Sequence, residues 1–298
     1  MNKNEKELNI LVNKLHKQIY DLENSMEYRI GKKLSKNFFI RKAYSFYNWI
    51  KVKNLPTFTS KIDNIENQEE FSNLSEKKIV IYTCITGNYD EVVDPMYCSN
   101  NIEYILYTNN EKIKSNKWKV KNIENDSNLN NILLNRYIKM HPHELFKNYD
   151  YSIYVDGNIK IFSDLSCWVN LLNEEYGIAL SMHSTRNKLS DELKACEILK
   201  KGNIDKMKEQ INQYLKDGMP DDYGLLEAPV IVTDLHSETS KKILDNWWNE
   251  FVKSNSYRDQ IALPYTLFKM KIPICEIGKI SNDIWHDPKI EKQEHKRG

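Results

Sequence analysis

The stretch "YDYSIYVDGNIKIFSDL", residues 149–165, contains the clearest strand signal in this 298-residue chain. Its segment 153–155, Ile-Tyr-Val, is β-branched and aromatic, which is typical of a strand buried in a sheet. A polar Asp-Gly-Asn step at 156–158 then interrupts the pattern, and the Ile-Lys-Ile tripeptide at 159–161 resumes it. Because a carboxylate is costly to bury without a partner, we expect Asp156 at the edge of the sheet, where this core strand reaches the surface.

Apolar strands and helical segments alternate along the chain on both sides of this stretch. This alternation predicts an α/β domain with a mostly parallel, Rossmann-like sheet flanked by helices. The predicted strands are 79–84, 102–110, 151–161, 176–183 and 228–235, the predicted helices are 129–140, 190–216, 239–253 and 258–269, and "IPICEIG" at 272–278 closes the series.

The composition narrows the class of protein. Hydrophobic residues make up 40% and charged residues 29%, as in ordinary globular proteins, and the net charge of +1 argues against a general nucleic-acid binder. The five cysteines include no C-x-x-C pair, which argues against a zinc site or disulfide framework and favours a reducing compartment. The polar start, MNKNEKELNI, and the lack of a long apolar run predict neither a signal peptide nor a membrane span. We therefore expect a cytoplasmic protein.

The first 53 residues differ from the rest in charge. Twelve Lys/Arg against five Asp/Glu give them a net charge of +7, so the remainder sums to −6. Leu8, Leu11, Leu15 and Leu22 follow heptad spacing, which indicates either a short coiled coil that joins copies of the chain or a single amphipathic helix. Both readings stay open.

Aromatic residues alternate with cations over residues 32–53, in "KKLSKNFFIRKAYSFYNWIKVK". This mixture suits a membrane interface, where rings lie at headgroup level and cations meet anionic lipid. The alternative is a helix that packs its aromatics inward. The predicted organisation is therefore a basic amphipathic helical segment at 1–53, a polar linker at 54–76 and the α/β domain at 77–298.

The Asp-Gly-Asn step suggests a metal site. In extended geometry Asp156 and Asn158 would project the same way and could offer oxygens to one hard cation, while Gly157 would let a ligand approach. Mg²⁺ or Mn²⁺ usually meets a nucleotide through one or two protein oxygens and the phosphates. The alternative is a plain turn, which the same three residues commonly make.

These residues also carry a resemblance to a known family. "IYVDGNIKI" resembles the D-x-D element of GT-A-fold glycosyltransferases, although Asn158 stands where a second Asp is frequent. The chain is similar to one branch in particular, a former domain of unknown function now described as glycosyltransferase-like, found in plant cell-wall and mucilage proteins and in bacterial polysaccharide loci. The matching stretches, between about residues 78 and 270, are "IYTCITGNYD", "NRYIKMHPHELFKNYDYSIYVDGNI", "MHSTRNKLSDELKAC", "YLKDGMPDDYGLLEAPVIV" and "WWNEFVKSNSYRDQIALPYTLFK".

The resemblance implies a site for a nucleotide-diphosphate-sugar donor. Arg136 and Lys139, three residues apart on one helical face, would face the diphosphate, and a solvated face is their alternative. A plain turn is the alternative for Thr86-Gly87. The implied donor-binding residues are Tyr82, Thr83, Thr86, Gly87, Asp90, Arg136, Lys139, Asp156 and Gly157.

Further residues are implied for the acceptor, for catalysis and for the metal. Asp259 would act as general base and Arg258 would stabilise the leaving diphosphate, whereas a helix N-cap is the plainer interpretation of Asp259. His286 would complete the metal shell begun by Asp156 and Asn158. The implied acceptor-binding residues are His183, Arg186, Glu192 and Glu227.

The resulting expectation is a metal-assisted glycosyltransferase that uses a divalent cation, Mn²⁺ or Mg²⁺. It would transfer sugar to a surface polysaccharide or a lipid-linked glycan, in the cytoplasm or at the inner face of the membrane. The alternatives are a non-catalytic glycan- or nucleotide-binding module and an assembly scaffold, because a fold does not fix a function.

Overall fold

The computed structural model describes residues 76–125 and 127–294, and a six-stranded sheet forms the centre of this part of the chain. The order across the sheet is β3-β2-β1-β4-β7-β6, and β7 alone runs antiparallel to its neighbours. The predicted α/β class with a mostly parallel sheet is therefore confirmed. The strands are β1 Ile79–Ile85, β2 Ile102–Thr108, β3 Lys119–Asn122, β4 Tyr151–Val155, β5 Ile159–Ile161, β6 Ile178–Met182, β7 Leu226–Asp234 and β8 Ile290–Lys292.

The predicted N-terminal helical segment, 1–53, lies outside the described residues, as does all of the predicted linker, 54–76, apart from its last residue. Their helical, oligomeric and membrane-binding roles therefore stay predictions. No helix in the described part of the chain is long and apolar enough to span a membrane.

Helices flank the sheet and share its core. All seven residues of β1 are buried, as are the last four of β4, because helices cover both faces of a sheet of this kind. The core continues into α5, where Trp247 is fully buried. The helices are α1 Asn131–Met140, α2 Pro142–Leu145, α3 Leu189–Leu199, α4 Ile204–Lys216, α5 Glu238–Ser254, α6 Asp259–Lys269 and α7 Ile274–Ile277, with 3₁₀ turns at Ser166–Leu171 and Ile284–His286.

The predicted strand 151–161 is wrong as a single element. The chain turns after β4, where the Ile159 amide donates to the Asp156 carbonyl at 2.9 Å. β5 then leaves the main sheet and pairs antiparallel with β8, in a separate two-stranded sheet. The alternation that would place Asp156 and Asn158 on one side therefore does not apply across this turn.

The predicted helix 190–216 is also wrong as a single element, because it is divided into α3 and α4. Lys200, which ends α3, has a left-handed backbone conformation with φ of 51°. Gly202 has φ of +68°, and a Cβ there would lie 2.7 Å from the Ser256 carbonyl oxygen. Only glycine adopts that conformation without strain at such a close approach.

The reversed direction of β7 matters for the site. The register between β6 and β7 shifts beside Pro229, a residue that has no amide hydrogen to donate to a neighbouring strand. Beyond this bulge Glu227 pairs with Ser181, near the carboxyl end of β6. Since β7 runs the opposite way, its first residues lie at the edge where the neighbouring strands end.

Candidate active site

The carboxyl ends of β1, β4 and β6 form one edge of the sheet, the edge at which ligands bind in open α/β sheets. Thr86, Asp156 and His183 follow these three strands directly. Glu227, at the start of β7, joins them from the opposite chain direction. The Asp156 amide donates to the Pro229 carbonyl at 2.8 Å, which fixes the end of β4 beside the start of β7.

Helix α1 brings two cations to this edge. Asn130 caps the helix by accepting a hydrogen bond from the Leu133 amide at 2.9 Å, as a side-chain N-cap does. Lys139 Nζ lies 3.4 Å from Asp156 Oδ1 and 3.3 Å from Asp259 Oδ2, and Arg136 Nε lies 2.9 Å from Asp259 Oδ2. We call Arg136, Lys139, Asp156 and Asp259 the Lys139 cluster.

Residues of the central sheet also contact Lys139. Its side chain is only 2% exposed, and its ammonium lies 5.0 Å from the ring centroid of Tyr154 in β4, within the range of a cation–π contact. The Tyr82 hydroxyl donates to the Lys139 carbonyl at 2.9 Å. Tyr82 itself is buried, so the structure places it beneath the site, where it anchors the end of α1, and not in the lining predicted for it.

Asp259 is surrounded by positive charge. Burial by itself would raise the pKa of Asp259, but the charges of Arg136, Lys139 and Arg258 outweigh it and hold that pKa well below its usual range. A carboxylate held in this way stays ionised and binds a proton weakly. Its surroundings therefore argue against the predicted general-base role and make Asp259 the counter-ion that holds the two cations of α1.

A second group of charges surrounds Glu192, whose side chain is completely buried. One of its oxygens lies 2.8 Å from Arg186 Nε, and the other lies 2.8 Å from Arg258 Nε and 2.6 Å from Arg258 Nη2. Burial raises the pKa of Glu192, but the two arginines outweigh it and lower that pKa. We call Arg186, Glu192 and Arg258 the Glu192 cluster. Arg258 therefore faces Glu192, whereas its neighbour Asp259 faces α1.

His183 closes the turn after β6. Its Nδ1 accepts hydrogen bonds from the amides of Thr185 and Arg186, each at 3.2 Å. Burial first, and the charge of Arg186 second, lower the pKa of His183 to about 4. The ring is therefore neutral at pH 7, with its proton on Nε2, and it orders the loop that carries Arg186.

Glu227 has the opposite surroundings to Asp259. Its Oε1 accepts a hydrogen bond from the Ser184 hydroxyl at 3.3 Å and lies 3.4 Å from His183 Nδ1. Burial raises the pKa of Glu227, and the hydrogen bonds from Trp285 and Ser184 and the charge of Arg186 lower it by less. Glu227 is therefore a stronger base than Asp259, and it lies at the same edge of the sheet.

Asparagines that we did not predict shape the loop after β1. Gly87 has φ of +60°, and its amide donates to Asn109 Oδ1 at 2.7 Å. Asn109 Nδ2 in turn donates to Asn131 Oδ1 at 2.8 Å, and the Thr86 hydroxyl donates to the Asn131 carbonyl at 2.8 Å. The sequence did indicate these asparagines, because "YTNN" places two of them directly after β2.

The other predicted donor residues lie at different depths. Thr83 is buried within β1, and Asp90 is half-buried in the loop that follows it. A Cβ on Gly157 would lie 2.7 Å from Ile85 Cγ1, so this glycine is required by the close approach of the turn after β4 to the last residue of β1. That requirement is structural, and it differs from the ligand approach predicted for Gly157.

The predicted metal ligands are engaged with different partners. Asn158 is buried, and its amide nitrogen donates to the Gln293 carbonyl at 3.0 Å, beside β8. His286 Nδ1 lies 2.7 Å from Asp283 Oδ2 on an exposed turn. Within residues 76–125 and 127–294, no three His, Cys, Asp or Glu side chains are grouped so as to hold a metal ion. Of the three predicted metal ligands, Asp156 is the one carboxylate, and its side chain is 36% exposed at the edge.

Comparisons with known proteins add the family. Two solved structures are similar in part. The bifunctional glycosyltransferase WbbM in its apo form has 12% identity and a TM-score of 0.41, and the match covers 64% of this chain and 37% of that one. The galactosyltransferase LgtC in complex with donor and acceptor sugar analogues has 11% identity and a TM-score of 0.37, and the match covers 62% of this chain and 69% of that one. A search of curated protein sequences found no match. The model of the TOD1/MUCI70 glycosyltransferase-like domain matches residues 36–289. The chain belongs to this family, as its motifs predicted.

Proposed function

We propose that this domain is an enzyme that transfers a sugar from a nucleotide-diphosphate sugar to a hydroxyl group of a glycan. The acceptor in this proposal is a surface polysaccharide or a lipid-linked precursor of one. Family membership supports the general activity. The Lys139 cluster supports a diphosphate donor and is the observation on which the proposal rests.

Loss of a nucleoside diphosphate leaves negative charge on the departing phosphate oxygens, and fixed cations stabilise that charge. Arg136 and Lys139 supply two such cations at the carboxyl edge, where Asp259 keeps them in place. Arg136 is a quarter exposed, so its guanidinium can contact phosphate oxygens directly. The loop around Gly87, held by its asparagine network, would border the nucleotide, with Asp90 near the base or ribose.

We propose Glu227 as the group that removes the proton from the acceptor hydroxyl. The acceptor oxygen then bonds to the anomeric carbon, the bond from that carbon to the diphosphate breaks, and the proton goes to the Glu227 carboxylate. This replaces the predicted role of Asp259, whose proton affinity is lowered by three cations. Arg186 and Arg258, held by Glu192, would bind acceptor hydroxyls beside it.

The first experiment is a thermal-shift screen of the full chain with UDP-, GDP-, ADP- and TDP-sugars, followed by a donor-hydrolysis assay of each sugar that stabilises it. A ligand at about 100 times its Kd stabilises by about 2.7 kcal/mol, which raises the Tm of a domain this size by about 5–10 °C. Arg136→Ala should abolish the shift, and Lys147→Ala, on an exposed turn, should leave it intact. A screen in which no nucleotide sugar raises the Tm would refute the donor site.

The proposed setting is the cytoplasm, at the inner face of the membrane, through the basic segment 1–53. Its charge of +7 supports contact with anionic lipid. Replacing the Lys and Arg residues of 29–53 by Gln in the full chain should reduce co-sedimentation with phosphatidylserine vesicles. Equal co-sedimentation of the parent and the substituted protein would refute the proposed membrane contact. Size-exclusion chromatography with light scattering tests self-association through the heptad leucines.

A non-catalytic binding module is the alternative, and the ion pairs of Asp259 favour it because they remove the predicted base. Glu227→Gln separates the two functions. An enzyme should lose donor turnover while its Kd for the nucleotide sugar stays constant. A binding module should show no turnover in either protein.

A further inference from the structure

We infer that the buried ammonium of Lys139, together with the guanidinium of Arg136, takes the place of a divalent cation, so that the domain binds nucleoside diphosphates without a metal. The inference rests on the proposed function and specifies how its donor site recognises a diphosphate. It replaces the predicted Mn²⁺ or Mg²⁺ with cations that belong to the protein.

The first step is the state of the predicted metal ligands. Asn158 is buried with its side-chain nitrogen on the Gln293 carbonyl beside β8, and His286 contacts Asp283 on an exposed turn. Within residues 76–125 and 127–294 no His, Cys, Asp or Glu trio forms around Asp156, so Asp156 is the one carboxylate left of the predicted three ligands. Mg²⁺ and Mn²⁺ sites at nucleotides use one or two carboxylates to balance part of the ion's charge. Asp156 already has an ion-pair partner, because Lys139 Nζ lies 3.4 Å from its Oδ1.

The second step is the electrostatic repulsion between a metal ion on Asp156 and the Lys139 ammonium. A cation of this kind binds a carboxylate oxygen at about 2.1 Å, so an ion on Asp156 Oδ1 would lie at most about 5.5 Å from the Lys139 ammonium. The two positive charges would face each other where solvent screening is weak, since the Lys139 side chain is only 2% exposed. The site therefore favours either the lysine or the ion beside that oxygen, and the lysine is covalently present.

The third step is how the lysine is fixed. Asp259 on α6 pairs with both cations of α1, and Tyr154 supports the ammonium from the sheet. An ammonium has three donors, and the two carboxylates use two of them. The positions of the two cations are thus fixed before any donor arrives, as electrostatic preorganisation requires. Asp156, whose side chain is 36% exposed, is the most exposed member of the Lys139 cluster.

Isothermal titration calorimetry of the full chain with UDP, GDP, ADP and TDP tests the inference, once in EDTA and once in Mn²⁺. We expect the Kd of the preferred nucleotide to agree within about threefold between the two buffers, a difference below 1 kcal/mol. A Kd at least about tenfold tighter in Mn²⁺, lost in EDTA, would overturn the inference and leave the transferase proposal standing. No binding of any of the four nucleotides in either buffer would overturn the proposed function, and the inference with it.

Asp156→Asn gives a second test, because a metal site and a metal-free site predict opposite changes in nucleotide affinity. A metal site would lose its charged ligand, so Mn²⁺-dependent binding would weaken. If Lys139 replaces the metal, the substitution removes a negative charge beside the diphosphate and frees the ammonium. The Kd for the nucleotide in EDTA should then fall by about threefold or more. Asp205→Asn, an exposed carboxylate on α4, is the matched control and should leave the Kd unchanged. Weaker binding by Asp156→Asn would contradict the inference.

Discussion

The role of Asp259 leads to a prediction about stability. Asp259→Asn keeps the shape of the side chain and removes the charge that pairs with Arg136 and Lys139. Breaking a buried ion pair by removing one partner costs about 3–5 kcal/mol, because the other charge stays buried. Lys139 keeps Asp156 at 3.4 Å and Arg136 is a quarter exposed, so we expect the lower end, about 3 kcal/mol.

The assay is thermal unfolding followed by circular dichroism. For a domain of this size, about 3 kcal/mol corresponds to a fall in Tm of about 6–12 °C. Asp205→Asn serves as the control and should stay within about 2 °C of the parent protein, because exposed substitutions change stability by about 0.5 kcal/mol or less. If Asp259 were instead the general base, its replacement would abolish turnover with little loss of stability. A Tm within about 2 °C of the parent protein would therefore refute our reasoning.

The same pair of proteins has a characteristic pH dependence. The pKa of Asp259 is lowered in the folded state, so its contribution to stability is fully present above the unfolded pKa, which is about 3.9, and is lost as the pH falls toward the folded value. We expect the difference in unfolding free energy between parent and Asp259→Asn to stay constant from about pH 8 to 5 and to shrink below about pH 4. A difference that changed between pH 6 and 8 would contradict this assignment.

Three further substitutions test the rest of the site. Glu227→Gln should lower the rate of donor turnover by about 10²-fold or more while the Tm stays unchanged or rises, because it removes a buried charge; turnover close to that of the parent would exclude the base assignment. Glu192→Gln should lower the Tm by several degrees by leaving two arginines without their counter-ion, and an unchanged Tm would show that they find other partners. Gly157→Ala should lower the Tm and the donor affinity together, since its Cβ would lie 2.7 Å from Ile85 Cγ1, and calorimetry of a stable variant with normal affinity would contradict this.

Much of the fold follows from local pattern. The predicted buried strand 79–84 is present as β1 close to its expected bounds, whereas β4 covers only the first part, 151–155, of the predicted strand 151–161. The departure of β5 was not predictable, because its partner β8 lies about 130 residues further along the chain. The division between α3 and α4 was missed although Gly202 marks it.

The site was predictable in its location more than in its chemistry. The position of Asp156 after β4 was expected, and the structure finds it at the carboxyl edge. Arg258 and Asp259 face different clusters because of the residue at which α6 begins, and the local sequence does not specify that residue. The weak basicity of Asp259 comes from cations on α1, 120 residues away for Lys139, and sequence spacing contains no information about such a pairing.

The direction of β7 has a consequence for which segments of the chain reach the carboxyl edge. In a fully parallel sheet the segments after the strands reach that edge, whereas here the segment before β7 also reaches it, because the Leu225 carbonyl accepts the His183 amide at 2.9 Å. In the transferase that we propose, insertions and exchanges in residues 217–225, "DGMPDDYGL", would therefore alter which acceptor is recognised. The short connection from β7 to α5 lies at the opposite end of the strand, so drift there would leave selectivity intact.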